Sequence, residues 1–238
     1  AGADASLCTP TNTYTMTATP AVAPATGIWT LVSGTGTITS PTSATTGITN
    51  LGVGVNIFQW TILNGACGNT NSDQMTITVF SNAAPAANAG PDQEFCFNPA
   101  SLTSATMAAN AATAPATGLW TLVSGSGTII SPTSPTTLIN NLGVGTNVFR
   151  WTINNGTCGS TNDLVAIRVF SPNQTAANAG ADQTICSTTA TISLSANSLT
   201  APATGQWTVV SGTGNFTSPT SPSTTVTGMS VGQNVYQW

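Results

Sequence analysis

Apolar and polar residues alternate in short runs along the whole chain. In NVFRWTI (147–153), Phe149, Trp151 and Ile153 fall on one side and Arg150 and Thr152 on the other. In DLVAIRVF (163–170), Val165, Ile167 and Val169 align, leaving Ala166 and Arg168 outward. Met75, Ile77 and Val79 alternate with Thr76 and Thr78, and Tyr14, Met16 and Ala18 with a row of threonines. A period of two is the signature of a half-buried strand. Between residues 89 and 178 the pattern predicts strands near 92–97, 101–109, 118–124, 127–131, 136–142, 146–154 and 162–170. The turn-forming clusters NPAS, APATG, SGSG, SPTSP, NLGVG and NNGTCG separate them. No stretch carries a helical period. Seven short strands with frequent turns predict an all-β sandwich.

The same pattern is written three times. APATGIWTLVSGTGTI (23–38) returns as APATGLWTLVSGSGTI (114–129) and APATGQWTVVSGTGNF (201–216). Trp29, Trp120 and Trp207 are each followed 31 residues later by a second tryptophan, Trp60, Trp151 and Trp238. Each copy opens on AGADASLC, AGPDQEFC or AGADQTIC, which divides the chain into units 1–88, 89–178 and 179–238. The period is longer than that of solenoid repeats and matches a whole small domain. Each unit is therefore expected to hold its own core, with its two tryptophans inside it; APATG-x-W delivers one of them and SGTG forms the hairpin turn that follows. The third unit reaches its second tryptophan but not the TI-x-NG-x-C-G segment of 61–68 and 152–159, so it is expected to be incomplete, a slice of a longer array.

Each full unit carries two cysteines, Cys8 with Cys67 and Cys96 with Cys158; the third carries Cys186, whose partner is expected outside the chain. Regular cysteine pairs in small repeated β domains read as disulfides formed in an oxidising compartment. Pairing within units, Cys8–Cys67 and Cys96–Cys158, makes every bead self-sufficient and is the preferred expectation. A bond between units, such as Cys67–Cys96, is the rival.

Charge narrows the function classes. The chain has two basic residues, six acidic ones and no histidine, for a net charge of −4. Nucleic-acid binding needs clustered Lys and Arg, and no cluster exists, so no nucleic-acid partner is expected. No run approaches the roughly 18 apolar residues of a membrane span, so no membrane insertion is expected. Without His, a Ser-His-Asp or Cys-His centre is impossible, and neither an enzyme nor a cofactor is expected. The acids Asp4, Asp92, Asp182, Asp73 and Asp163 recur at equivalent places, which suits strand-end hydrogen bonding; Glu94 has no counterpart and is expected to be solvated. Calcium at repeat junctions, with Asp92 and Asp163 as ligands, is the minority alternative, since calcium wants six to eight oxygens. SGTGTI and LGVG lack the GK[ST] ending of a phosphate loop and read as turns. Outward threonines suit exposed strands; an ice-binding face or glycan acceptors are the sharper alternatives. Asn155, Asn173 and Asn215 sit in N-x-[ST] triplets.

AGPDQ-x-x-C opening a unit, a Trp followed by SGxGT, NxFxWTxxNGxC and a DxVxIxVF-like last strand together resemble the PKD-like, immunoglobulin-like tandem repeats of Bacteroidetes cell-surface adhesins, the SprB-type gliding adhesins among them. The resemblance covers essentially the whole chain. It departs from standard PKD domains where WTLVSGTG replaces the WDFGDG motif, and these 238 residues do not include a C-terminal sorting domain. The resemblance implies tandem seven-stranded sandwiches, export by a type IX route and a place on the bacterial cell surface. The expected function is a non-catalytic, rigid stalk segment of a long adhesin or filament in adhesion or gliding. Its partners would be other repeats of the same protein and a surface polysaccharide or other extracellular ligand. Two alternatives stand beside it. One is a spacer or carbohydrate-binding module of a secreted enzyme, with Phe95 and Phe97 as an aromatic platform. The other is a self-assembling filament or sheath subunit.

Overall fold

The computed structural model describes residues 1–68, 70–98, 103–186 and 191–238. Within them, all regular structure is strand apart from two single 3-10 turns. The first repeat forms β1 (Ala5–Cys8), β2 (Tyr14–Thr17), β3 (Thr26–Ser33), β4 (Thr37–Ile38), β5 (Thr45–Thr49), β6 (Gly54–Leu63) and β7 (Thr70–Phe80). The second forms β8 (Gln93–Cys96), β9 (Ala105–Thr106), β10 (Thr117–Ser124), β11 (Thr128–Ile129), β12 (Leu138–Asn140), β13 (Gly145–Asn154) and β14 (Ser160–Phe170). The third forms β15 (Thr191–Ser195), β16 (Thr208–Ser211), β17 (Asn215–Phe216), β18 (Ser223–Thr227) and β19 (Val235–Gln237).

The first two repeats share one topology. A four-stranded sheet, β1-β7-β6-β3 or β8-β14-β13-β10, faces a three-stranded one, β2-β5-β4 or β9-β12-β11. In the third, β16-β19 and β15-β18-β17 form the corresponding sheets. The run 101–109, predicted as one long strand, is regular only at Ala105–Thr106; Met107 and Ala109 still donate to Thr137 and Pro135 carbonyls, and 101–102 lie outside the described residues.

Each repeat closes its own core. Met16, Trp29, Ile48, Phe58, Trp60, Met75, Ile77 and Val79 cluster in the first; Trp120, Ile139, Phe149, Trp151, Val165, Ile167 and Val169 in the second. Trp29 stands opposite Trp60 and Trp120 opposite Trp151 across neighbouring strands, with ring centroids 5.3 and 5.1 Å apart. Trp207 is buried within a smaller cluster and lies 5.4 Å from Trp238, which is half-buried. The glycine of APATG-x-W explains the fixed spelling of that segment. A Cβ on Gly27, Gly118 or Gly205 would sit 2.0, 2.2 or 2.3 Å from Cζ2 of Trp60, Trp151 or Trp238; only a bare α-carbon lets the second indole lie flat across the strand.

A buried asparagine organises the other end of the sandwich. Asn147 accepts from the Ser126 amide at 2.8 Å and donates to the Gly143 and Ile167 carbonyls at 2.9 and 3.3 Å. Asn56 repeats this with Thr35, Gly52 and Ile77. One amide group thus ties the SGTG turn to the central and last strands, which fixes the hairpin's register.

Candidate functional site at the junction between the first two repeats

The strands that build each core also set where its cysteines lie. β1 runs parallel to β7, pairing Ala5 with Ile77 and Cys8 with Phe80. Cys8 therefore stands where β7 finishes. Cys67 closes the 3-10 turn Gly65–Cys67 just before β7 begins. The length of β7, roughly 33 Å at 3.3 Å per residue, separates them, and a disulfide needs Cα atoms within about 7 Å. The same holds for Cys96, paired with Phe170 at the end of β14, and Cys158, in the turn Gly156–Cys158 before it. The expected bonds Cys8–Cys67 and Cys96–Cys158 are thus corrected. Cys8 instead joins Cys158 of the next repeat, with Cα atoms 5.1 Å apart. Cys67, Cys96 and Cys186 are exposed free thiols, so the rival Cys67–Cys96 bond is not made either.

Around this bond the two repeats fit as a tip in a socket. The tip is the β13–β14 hairpin turn, Asn155-Gly156-Thr157-Cys158. The socket is the shared end of β1 and β7, where Thr9 N–H bonds the Phe80 carbonyl at 2.9 Å and the Thr9 hydroxyl meets Asn82. Asn155 Nδ2 donates to the Ser81 carbonyl at 2.7 Å. That bond commits the amide which the N-x-[ST] reading offered as a glycan acceptor. Gly156 has φ +51°, and its α-carbon lies against the Phe80 ring, where a Cβ would come within 2.2 Å of Cε2. Both the backbone twist and the close approach require glycine.

The recurring acids clasp the first and last strands together. Asp4 Oδ1 accepts from Thr76 N–H at 2.8 Å and Asp92 Oδ1 from Ala166 N–H at 2.9 Å. Asp163 Oδ2 accepts from Ala89 N–H at 2.9 Å. Its first-repeat equivalent, Asp73, accepts from the Ala1 nitrogen in the same way. Arg168 lies 3.2 Å from Asp92 and 3.7 Å from Glu94, which is exposed, as expected, and has this ionic neighbour. Among the described residues, no three of His, Cys, Asp and Glu gather as a metal site would require. Phe95 and Phe97, the candidate sugar platform, pack against the second core.

Sequence reasoning placed the junction residues on turns and strand ends but missed their meeting. Nothing local in the sequence signals it; it follows from the direction of β1, which the fold decides. A first strand parallel to the last puts the two cysteines of a repeat at opposite ends.

The family model for the K319L-like PKD domain matches residues 1–79. No curated protein matches the chain. Among solved structures it is similar to a three-immunoglobulin-domain segment of titin in an E-to-A mutated variant, at 13% identity over 97% of this chain and 86% of that one, with TM-score 0.38. It is similar to the PKD domain of human KIAA0319 at 19% identity over 36% of this chain and 80% of that one, TM-score 0.31. It is also similar to BT4661, a SusE-like surface-located polysaccharide-binding protein of Bacteroides thetaiotaomicron. There the identity is 12% over 70% of this chain and 33% of that one, TM-score 0.28. The chain is a tandem array of immunoglobulin-like β-sandwiches, the first of which matches the PKD-domain model, and none of its described helical turns is long and apolar enough to cross a membrane.

Proposed function

We propose that the chain is a non-catalytic, tension-carrying stalk segment of a long extracellular adhesin or filament on a bacterial cell surface, serving adhesion or gliding. Its units are 1–88, 89–178 and 179–238, exported by a type IX route, and its partners are further repeats and an extracellular ligand such as a surface polysaccharide. The Cys8–Cys158 bond carries the reading. Locking one bead to the next gives a stalk stiffness and resistance to stretching. A disulfide also supports folding in an oxidising compartment. The near absence of Lys and Arg removes most trypsin-like cleavage sites, which suits a protein exposed to proteases. The reading needs no cofactor.

Small-angle scattering tests the stalk. Three beads in line span on the order of 100 Å and give a radius of gyration of about 30 Å, against about 18 Å for one compact domain of this length. The smaller value refutes a rod. Antibodies to residues 89–178 should label intact source cells; labelling only after lysis refutes the surface assignment.

A further inference from the structure

Both halves of the junction occur a second time, each with its cysteine unbonded among the described residues. The first repeat carries the tip Asn64-Gly65-Ala66-Cys67. Its Gly65 has φ +49°, against +51° at Gly156. Cys67 N–H bonds the Asn64 carbonyl at 3.1 Å, as Cys158 N–H bonds that of Asn155 at 3.0 Å. A Cβ on Gly65 would meet nothing within 4 Å, where one on Gly156 meets the Phe80 ring. The second repeat carries the socket: Cys96 stands beside Phe170 in parallel register, as Cys8 does beside Phe80. Phe97 N–H bonds the Phe170 carbonyl at 2.8 Å, as Thr9 bonds that of Phe80, and Ser171 follows Phe170 as Ser81 follows Phe80. Cys67 and Cys96 are both exposed thiols.

We propose that these are standing docking surfaces for further repeats of the same kind. The socket at Cys96, Phe170 and Ser171 takes the Asn-Gly-x-Cys tip of the repeat that follows, and the tip at Asn64–Cys67 enters the socket of one that precedes. The opening cysteine of each repeat then bonds the tip cysteine of the next. Two thiols lose their protons and two electrons to an external disulfide oxidant, which leaves as a dithiol. Successive loops interleave, so every repeat boundary is spanned by a covalent staple. The occupant is fixed by shape: the bare α-carbon against the phenylalanine ring and the asparagine amide on the serine carbonyl select this tip over an arbitrary thiol. The inference needs only the junction geometry and not the surface-adhesin reading.

Two extended chains test it. In the first, a copy of residues 152–170 follows Trp238, giving the third repeat a tip. After oxidative refolding and non-reducing peptide mapping, the added cysteine should be bonded to Cys96, with Cys67 and Cys186 still alkylated. A bond to Cys186, or a Cys96 that stays alkylated in a folded product, overturns the proposal. In the second, a copy of residues 1–88 precedes Ala1, so that a complete repeat supplies a socket and no strand needs completing. There Cys67 should bond the added copy's opening cysteine; a bond within the added repeat, or a free Cys67, overturns the proposal. The native Cys8–Cys158 bond in each product reports that the original repeats have folded. Changing the added tip's glycine to valine in the first chain should cut the Cys96 bond at least tenfold at equal oxidation time, whereas no change would show random thiol capture.

Discussion

The Cys8–Cys158 bond changes the path that tension takes, and the size of the change follows from its position. A chain held at residues 1 and 238 and fully unfolded would stretch to roughly 830 Å at about 3.5 Å per residue. With Cys8 bonded to Cys158, a sequence separation of 150 residues, force crosses the sulfur–sulfur bond and the loop between them never enters the path. Full extension falls to roughly 300 Å. Bonds inside each repeat would leave roughly 410 Å, since they short-circuit two smaller loops. The covalent bond survives forces that open a hydrogen-bonded sandwich, so the end-point reads connectivity directly. Optical-tweezers extension of the oxidised chain, with the Cys8→Ser/Cys158→Ser double variant as reference, separates these lengths. An oxidised end-point near 410 Å, or one equal to that of the double variant, would refute the shunt and the tip-and-socket junction with it.

Other outcomes follow from the same contacts. Unfolding either repeat beside its folded neighbour leaves a closed loop of about 75 residues, for which chain entropy gives a ceiling near 4.5 kcal/mol and practice about 2–4. Reducing the bond should therefore lower the opening free energy of both 54–80 and 145–170 in hydrogen exchange by that amount, and loss in one repeat alone would contradict the coupling. Gly118→Ala forces a Cβ into the Trp151 ring and should cost about 1–3 kcal/mol in urea unfolding, with a change in the near-ultraviolet signal of the indole pair. Asn147→Ala strands the Ser126 amide and Ile167 carbonyl and should cost about 1–3 kcal/mol for each group left unpaired; a denaturation midpoint unmoved from wild type would show that water replaces the side chain. Gly156→Val brings a β-branched residue to positive φ against Phe80 and should slow formation of Cys8–Cys158 during refolding without unfolding the second core, as read by quenched alkylation and tryptophan fluorescence.

Much of this was written in the sequence, because the physics that fixes it is local. Alternation in 147–153 and 163–170 assigned β13 and β14 and their buried faces, since strand side chains point to opposite sides whatever lies beyond the sheet. The threefold APATG-x-W announced three copies of one fold, and a glycine that must lie under an indole keeps its place in each copy. The recurring aspartates were legible as strand-end hydrogen bonders for the same reason, as their partners lie within one repeat. What the chain could not reveal was the partner of each cysteine. That depends on β1 adding to β7 in parallel, a pairing between residues about seventy positions apart with no local signature. Its consequence is that a cysteine at one end of a sandwich faces the next bead and not its own. Only the folded array brings the Asn155–Cys158 tip to the end of β7, where the Phe80 ring, the Ser81 carbonyl and the Cys8 sulfur meet it.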